Sequence, residues 1–374
     1  MLKVPYFEPW ITNNDKKMIM NTLNQRWLTN GPVLKKFEKK FSKIMDAKYS
    51  IGVSSATHGL HLSLKSIGIS KGDEVIVPTM TFAATADAVT YCGAKPILVD
   101  VNKNNFNISP EQIKKKINKK TKAIIPVHYG GQACNMDEIL KISKKFKLKI
   151  IEDCAHALGS KYEQMKCGNI GDMGCFSFYP TKIITTGEGG MITTKNKKLF
   201  EKINLLRSHG MNQLPPEREK KIKWKYDIIE LGYNYRLDEM RSALGYSQIQ
   251  RVKKINQLRI KIANKYDKEL QKIKGIIIPK RESNRNHIFH LYTIKINSDF
   301  PLSRDELFIK LYNSGIGTSV QYLPLHLMSY NKNKFKKSEF PNANEIKDQI
   351  LSLPIFPSMN QKQIDYVTSI IKKV

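Results

Sequence analysis

Between residue 48 and about residue 200, short β-rich runs alternate with helical patterns, and this order restricts the fold more than any other feature of the chain. Tyr49–Val53 precedes a helical stretch through Ile67, Asp73–Val77 precedes Ala83–Cys92, and Pro96–Val101 precedes Pro110–Ile117. Ala123–Val127 then precedes Met136–Phe146, and Lys149–Glu152 follows. Strands separated by helix-length crossovers pair in parallel, so the expectation is an α/β fold with a largely parallel sheet covered by helices. Ligands of such sheets sit at the carboxyl ends of the strands, which makes the residue after each strand a candidate.

The texture changes after Tyr246. A long helical segment, Val252 to Ile273, is followed by Ile276–Pro279, a strand over Ile288–Ile296, a helix near Arg304–Asn313 and a terminal helix from Gln361. The reading is a large domain over 1–250 and a smaller α+β domain over 251–374. Residues 211–226, with Pro215, Pro216 and many charges, read as a surface loop.

Composition removes several classes. The formal charge is +30, but the lysines alternate with apolar residues at helical spacing, as in Lys35-Lys36 with Lys39-Lys40, and read as solvated helix faces. No zinc finger, RNA-recognition signature or arginine-rich arm accompanies them, so no nucleic-acid role is expected; a positive field still recruits anionic substrates. The opening residues lack an apolar signal core and no apolar run reaches bilayer length, so the expectation is a cytoplasmic protein with no membrane partner. Five cysteines without a C-x-x-C pair read as reduced thiols, and no metal is expected.

Four segments carry chemistry. In Ser54-Ser55-Ala56-Thr57-His58, between strand and helix, small residues and first-turn amides can receive an anion, and the same residues also suit ordinary helix capping. Asp153, directly after an apolar strand, can hold a protonated pyridine nitrogen, with His156 three residues on; an N-cap aspartate and a structural histidine are the plain alternative. Lys182 lies among apolar and hydroxyl residues ahead of Gly187-Glu-Gly-Gly190. Burial there lowers its pKa and frees the amine for attack on an aldehyde, and Ser177 is near enough in sequence to bond a phosphate. Asn234 and Arg236 precede a helix of small and apolar residues, a pattern suited to packing and anion contact.

Together these residues resemble the DegT/StrS-type nucleotide-sugar aminotransferases, members of the fold-type I, aspartate-aminotransferase-like pyridoxal-phosphate enzymes. Trp27-Leu-Thr-Asn-Gly-Pro32, Gly72-Asp-Glu-Val-Ile-Val-Pro78, Thr81-Phe82-Ala-Ala-Thr85, Thr121–His128, His290-Leu-Tyr292, Gly315-Ile-Gly317, Leu323-Pro-Leu-His326 and Ser352–Pro357 extend the likeness along the chain. The resemblance implies that Lys182 carries pyridoxal 5'-phosphate as a Schiff base and shuttles protons, that Asp153 partners the pyridine nitrogen, and that His156 lies beside the ring. It places Phe82 on the opposite ring face, and Ala56, Thr57 and Ser177 around the phosphate. Asn234 would reach that phosphate from a neighbouring subunit, giving a homodimer with shared active sites. Related sugar dehydratases have histidine in place of the lysine at 182.

The implied reaction is transamination in two halves, from L-glutamate to the cofactor, leaving pyridoxamine 5'-phosphate, and then to a keto-sugar nucleotide. C4 amination of a UDP-4-keto sugar for cell-surface polysaccharide is the expected form, with Arg236, Tyr322 and His326 as substrate contacts. Gln321 stands where many relatives have histidine. A cyclic, non-nucleotide substrate and a non-catalytic regulator that keeps the fold are the alternatives.

Overall fold

The computed structural model describes residues 2–213 and 224–374. Met1 and residues 214–223, the centre of the segment read above as a surface loop, lie outside the described residues. In chain order the strands of the first part are β1 (Tyr49–Val53), β2 (Glu74–Pro78), β3 (Lys95–Val99), β4 (Thr121–Ile124), β5 (Lys149–Asp153), a small hairpin of β6 (Lys161–Tyr162) and β7 (Met165–Lys166), then β8 (Met173–Ser177) and β9 (Gly190–Thr194). Seven of them form one sheet in the order β1-β9-β8-β5-β4-β2-β3. The pairs from β8 through β3 are parallel. β9 runs against both its neighbours, β8 and β1.

The sheet is covered on both faces, and the sequence of β2 shows how. Val75 and Val77 join one apolar cluster with Leu60, Leu62 and Leu64 of the helix Ala56–Ser66. Ile76 between them joins another, with Phe37, Phe41 and Met45 of Pro32–Met45 and with Ile139 and Ile142 of Met136–Phe146. Successive strand side chains point to opposite faces. A strand buried on both therefore reads as an unbroken apolar run, which is the signature of a parallel interior strand.

A second sheet follows, antiparallel, of β10 (Ile276–Ile277), β11 (Tyr292–Ile296) and β12 (Ile350–Leu353). Tyr266 and Leu270 of the long helix Val252–Leu270 pack on it together with Ile364, Val367 and Ile371 of the terminal helix Gln361–Lys372. The strand expected over Ile288–Ile296 is shorter than its β-propensity implies. Phe289 takes a left-handed φ of 53°, and Ile288 and Leu291 spend their amides on the carbonyls of Gly131 and Gly130. The chain crosses the loop after β4 there before it joins the second sheet.

All five cysteines are buried free thiols. His128, Glu152 and Cys167 come together in the interior. The Glu152 carboxylate there is already filled, accepting from the amides of Gly168, Ile170 and Gly171 at 2.8 Å each and lying 2.9 Å from His128 Nε2. A buried carboxylate so satisfied is a folding element that pins the loop between β7 and β8. Among the described residues no helix is long and apolar enough to cross a membrane.

Candidate active site

A cavity of about 490 Å³ opens at the carboxyl edge of the large sheet. Ser55, Ala56 and Thr57 reach it from the end of β1; Thr81, Phe82 and Thr85 from the end of β2; Asp153 and His156 from the end of β5. Ser177 and Lys182 come from the end of β8, and Gln321 and Tyr322 close it from the carboxyl-terminal part. Segments far apart in sequence converge because parallel strands present all their carboxyl ends on one edge.

At one end lies the amino terminus of the helix Ala56–Ser66. The first amides of a helix have no partner within it. The Ser55 side chain caps only His58, leaving those of Ala56 and Thr57 for an anion. Gly190, first residue of β9, is what admits this turn to the sheet. A Cβ on it would lie 2.7 Å from the Ser55 carbonyl carbon and 2.8 Å from the Ala56 nitrogen.

At the far end Asp153 is buried. Its two oxygens are held separately: Oδ2 accepts from Thr85 Oγ1 at 2.8 Å and Oδ1 from the Ala155 amide at 3.1 Å. Thr85 Oγ1 is in turn 2.8 Å from Thr81 Oγ1. Burial pushes the carboxyl pKa up, and the Ala155 and Thr85 bonds and the nearby Lys182 pull it back in part. A carboxylate this costly to ionise gains most from a cationic ring N–H.

Lys182 stands in the loop between β8 and β9. That loop is fixed by the amide of Lys182 on the Tyr179 carbonyl and by Thr185 Oγ1 and the Thr186 amide on the Phe178 carbonyl, each at 2.9 Å. Burial lowers the Lys182 pKa to about 8, with Asp153 acting in the opposite direction. The amine is thus nucleophilic near neutral pH, as attachment to an aldehyde requires.

The hydrogen bonds also fix the tautomer of His156. The Gly130 amide donates to its Nδ1 at 3.3 Å, so the proton sits on Nε2 and is given to the Tyr322 hydroxyl 3.0 Å away. Burial, with help from Lys182, holds this imidazole neutral. Tyr322 lies nearly parallel to it, ring centroids 5.9 Å apart. Phe82 stands at the mouth, largely exposed, its ring 6.2 Å from Tyr322.

Three expected site residues lie outside this cavity. Asn234 is exposed, on a backbone bridge to Ser208, and Arg236 bridges Val53 at the sheet margin. The helix that follows them is locked to Pro32–Met45 where Glu239 accepts from the amides of Gly31, Val33 and Leu34. His326 is buried between Thr79 Oγ1 at 2.7 Å and Asn344 Oδ1 at 3.1 Å, and stacks on Phe340. It fastens its segment to the end of β2. Reading by segment gave no role to Thr85 or Glu188, although both line the cavity. Thr85 could have been found, since Thr81 and Thr85 are one helical turn apart directly after a strand.

The cavity therefore brings together an anion cradle, a buried carboxylate and a lysine of depressed pKa. That donor set fits pyridoxal phosphate, a phosphate ester of an aldehyde-bearing pyridine.

Comparison with known proteins points the same way. The sequence profile of the DegT/DnrJ/EryC1/StrS aminotransferase family matches residues 9–372. The spore coat polysaccharide biosynthesis protein SpsC of Bacillus subtilis (strain 168) is 37% identical over 376 residues, covering 99% of this chain and 97% of that protein. The GDP-perosamine synthase of Escherichia coli O157:H7 is 35% identical over 375 residues, covering 100% of this chain and 99% of that one. Among solved structures, Spr1654 of Streptococcus pneumoniae in its PLP form superposes with a TM-score of 0.92 at 28% identity, covering 100% of this chain and 98% of that one.

Proposed function

This chain belongs to the DegT/DnrJ/EryC1/StrS aminotransferase family, and on that premise we propose that it moves the amino group of L-glutamate onto C4 of a UDP-linked 4-keto sugar. The coarser activity is the family's own: pyridoxal-phosphate-dependent aminotransfer to a sugar in amino-sugar and polysaccharide biosynthesis. The observation that carries the aminotransferase reading is the convergence of Lys182, Asp153, His156 and the first turn of Ala56–Ser66 on one cavity.

Pyridoxal phosphate, when bound, supplies an electron sink for the carbon whose nitrogen is exchanged. The residues do the rest. Lys182 Nζ would hold the cofactor by its aldehyde, and its depressed pKa suits it to take a proton as general base and return one as general acid. Asp153 keeps the pyridine nitrogen protonated. Neutral His156 would lie beside the ring, with Phe82 on the opposite face. The amides of Ala56 and Thr57 and the Ser177 hydroxyl take the phosphate.

Asn234 completes that cradle from a second copy, a reading that its exposure outside its own chain's cavity supports. A homodimer with an isologous interface and two shared sites follows from this reading. Of the three sugar-contact candidates, Tyr322 lines the cavity of its own chain, Arg236 stands outside it at the sheet margin, and His326 acts by holding the adjoining segment.

The base is open to a second reading, because the relatives include GDP-perosamine synthases. The test is incubation with L-glutamate and a panel of UDP- and GDP-linked 4-keto sugars, with mass-spectrometric detection of amino sugar and 2-oxoglutarate. Product from a UDP sugar supports the proposal, and product from GDP sugars alone moves the base to guanine. Amination of a cyclic ketone with no nucleotide sugar consumed would overturn it, as would bound cofactor with no turnover of any substrate.

A further inference from the structure

Two acidic residues line the cavity, Asp153 at its floor and Glu188 on its wall. Asp153 is engaged by Thr85 and Ala155. Glu188 differs: among the described residues its carboxylate takes no hydrogen bond and no ion pair, and it is exposed. In a chain with 63 Lys and Arg against 33 Asp and Glu, cations are plentiful and a wall carboxylate without one stands out.

Its backbone, in contrast, is tightly held. Gly187 has a φ of 77° and Gly189 of 159°. A Cβ at Gly189 would lie 2.3 Å from Thr186 Oγ1, the atom that donates to the Glu188 carbonyl at 2.7 Å. The Gly187 amide bonds Thr185 Oγ1 and the Phe178 amide bonds the Gly189 carbonyl, each at 2.9 Å. A rigid glycine turn thus sets Glu188, whose carboxylate has no partner among the described residues, in the lining of the same cavity as Lys182, Gln321 and Tyr322.

Building on the aminotransferase reading, we propose that Glu188 is a specificity-determining residue that binds ring hydroxyls of the keto sugar and thereby orients its carbonyl carbon toward Lys182. A carboxylate is acceptor-only, with two oxygens that suit two neighbouring hydroxyl donors, and bonds to a charged acceptor are the stronger kind. The other ligands of the site are excluded by charge. The cofactor phosphate, the nucleotide diphosphate and both carboxylates of glutamate are anions that this group repels. What remains is the uncharged, hydroxyl-bearing ring. The diphosphate must then leave the cavity on the side away from Glu188.

The two half-reactions allow this to be tested separately in the loaded enzyme, since each changes the cofactor's visible absorbance. With Glu188→Ala, kcat/KM for the keto-sugar half falls roughly 10- to 100-fold, the range for losing bonds to a charged group. The L-glutamate half stays within about twofold, as expected when an interaction is used by one substrate only. Glu188→Gln, which keeps one acceptor oxygen, falls between. A keto sugar lacking the contacted hydroxyl loses rate on the native enzyme and loses nothing further on Glu188→Ala. Equal falls in both halves, an unchanged sugar half, or a changed sedimentation coefficient would each overturn the assignment, giving the residue a structural, neutral or interfacial role. If the native protein aminates no keto sugar, the failure lies with the underlying functional reading.

Discussion

Thr85 gives its hydroxyl proton to Asp153 Oδ2 at 2.8 Å, although the two residues are 68 positions apart. The bond spans the ends of β2 and β5, which are separated in the sheet by β4. It is one of two bonds that offset the burial of the carboxylate, and so it sets how readily Asp153 ionises.

Thr85→Val keeps the shape and removes this donor. The Asp153 pKa rises further, and its hold on a protonated ring nitrogen weakens. The expectation is a loss of about 10- to 100-fold in kcat/KM, corresponding to roughly 1.5–3 kcal/mol for one hydrogen bond to a charged group. Asp153→Asn, which cannot ionise, should lose more than about 1000-fold while circular dichroism shows an intact fold. Steady-state kinetics on both variants checks the order.

Lys182 sets a pH dependence with a definite sign. Its pKa of about 8 means that about one molecule in eleven carries the neutral amine at pH 7, and about ten in eleven at pH 9. Uptake of pyridoxal phosphate by the cofactor-free protein should therefore quicken as pH rises through 8 and level off above it. Stopped-flow absorbance measures the rate, and a flat profile from pH 7 to 9.5 would count against a depressed lysine. Borohydride reduction followed by peptide mapping should find the cofactor on Lys182, and none after Lys182→Ala.

Gly190→Ala places a Cβ against backbone that cannot rotate away, 2.7 Å from Ser55 and 2.8 Å from Ala56. The helix start must shift, and the anion cradle with it. Overpacking of this kind costs about 1–3 kcal/mol, so the melting temperature should drop. Cofactor affinity, followed by quenching of protein fluorescence, should weaken at least about tenfold, more than for Gly59→Ala, where the nearest atom is an Ile192 side chain at 3.3 Å.

The shared site can be tested by mixing. Lys182→Ala and Asn234→Ala subunits should each be nearly inactive alone. Refolded together, mixed dimers contain one intact site, made of Lys182 from one chain and Asn234 from the other. About a quarter of native activity should return at equal mixing if half the dimers are mixed and each has one working site. No recovery, with dimers present by sedimentation, would place Asn234 in its own chain's site.

The sequence by itself determined the layered α/β fold, because strands buried on both faces must be apolar throughout and a parallel pair must have a crossover between its strands. It also pointed to Lys182, Asp153 and His156, each at or shortly after a strand among residues that a solvated surface does not select, and the fold brings all three to one cavity. What it left undetermined was relations between segments. The reversal of β9, which sets Gly190 under the Ser55–Ala56 turn, depends on pairing partners that no local pattern encodes. So do the Thr85–Asp153 bond and the tautomer of His156, which Gly130 and Tyr322 decide from 26 and 166 residues away. His326 and Glu188 make the contrast plain, one polar residue satisfied deep in the packing and the other free on the cavity wall. Residue type follows from local chemistry and shows in sequence; desolvation and hydrogen-bond geometry arise between distant segments, and only the tertiary structure brings those together.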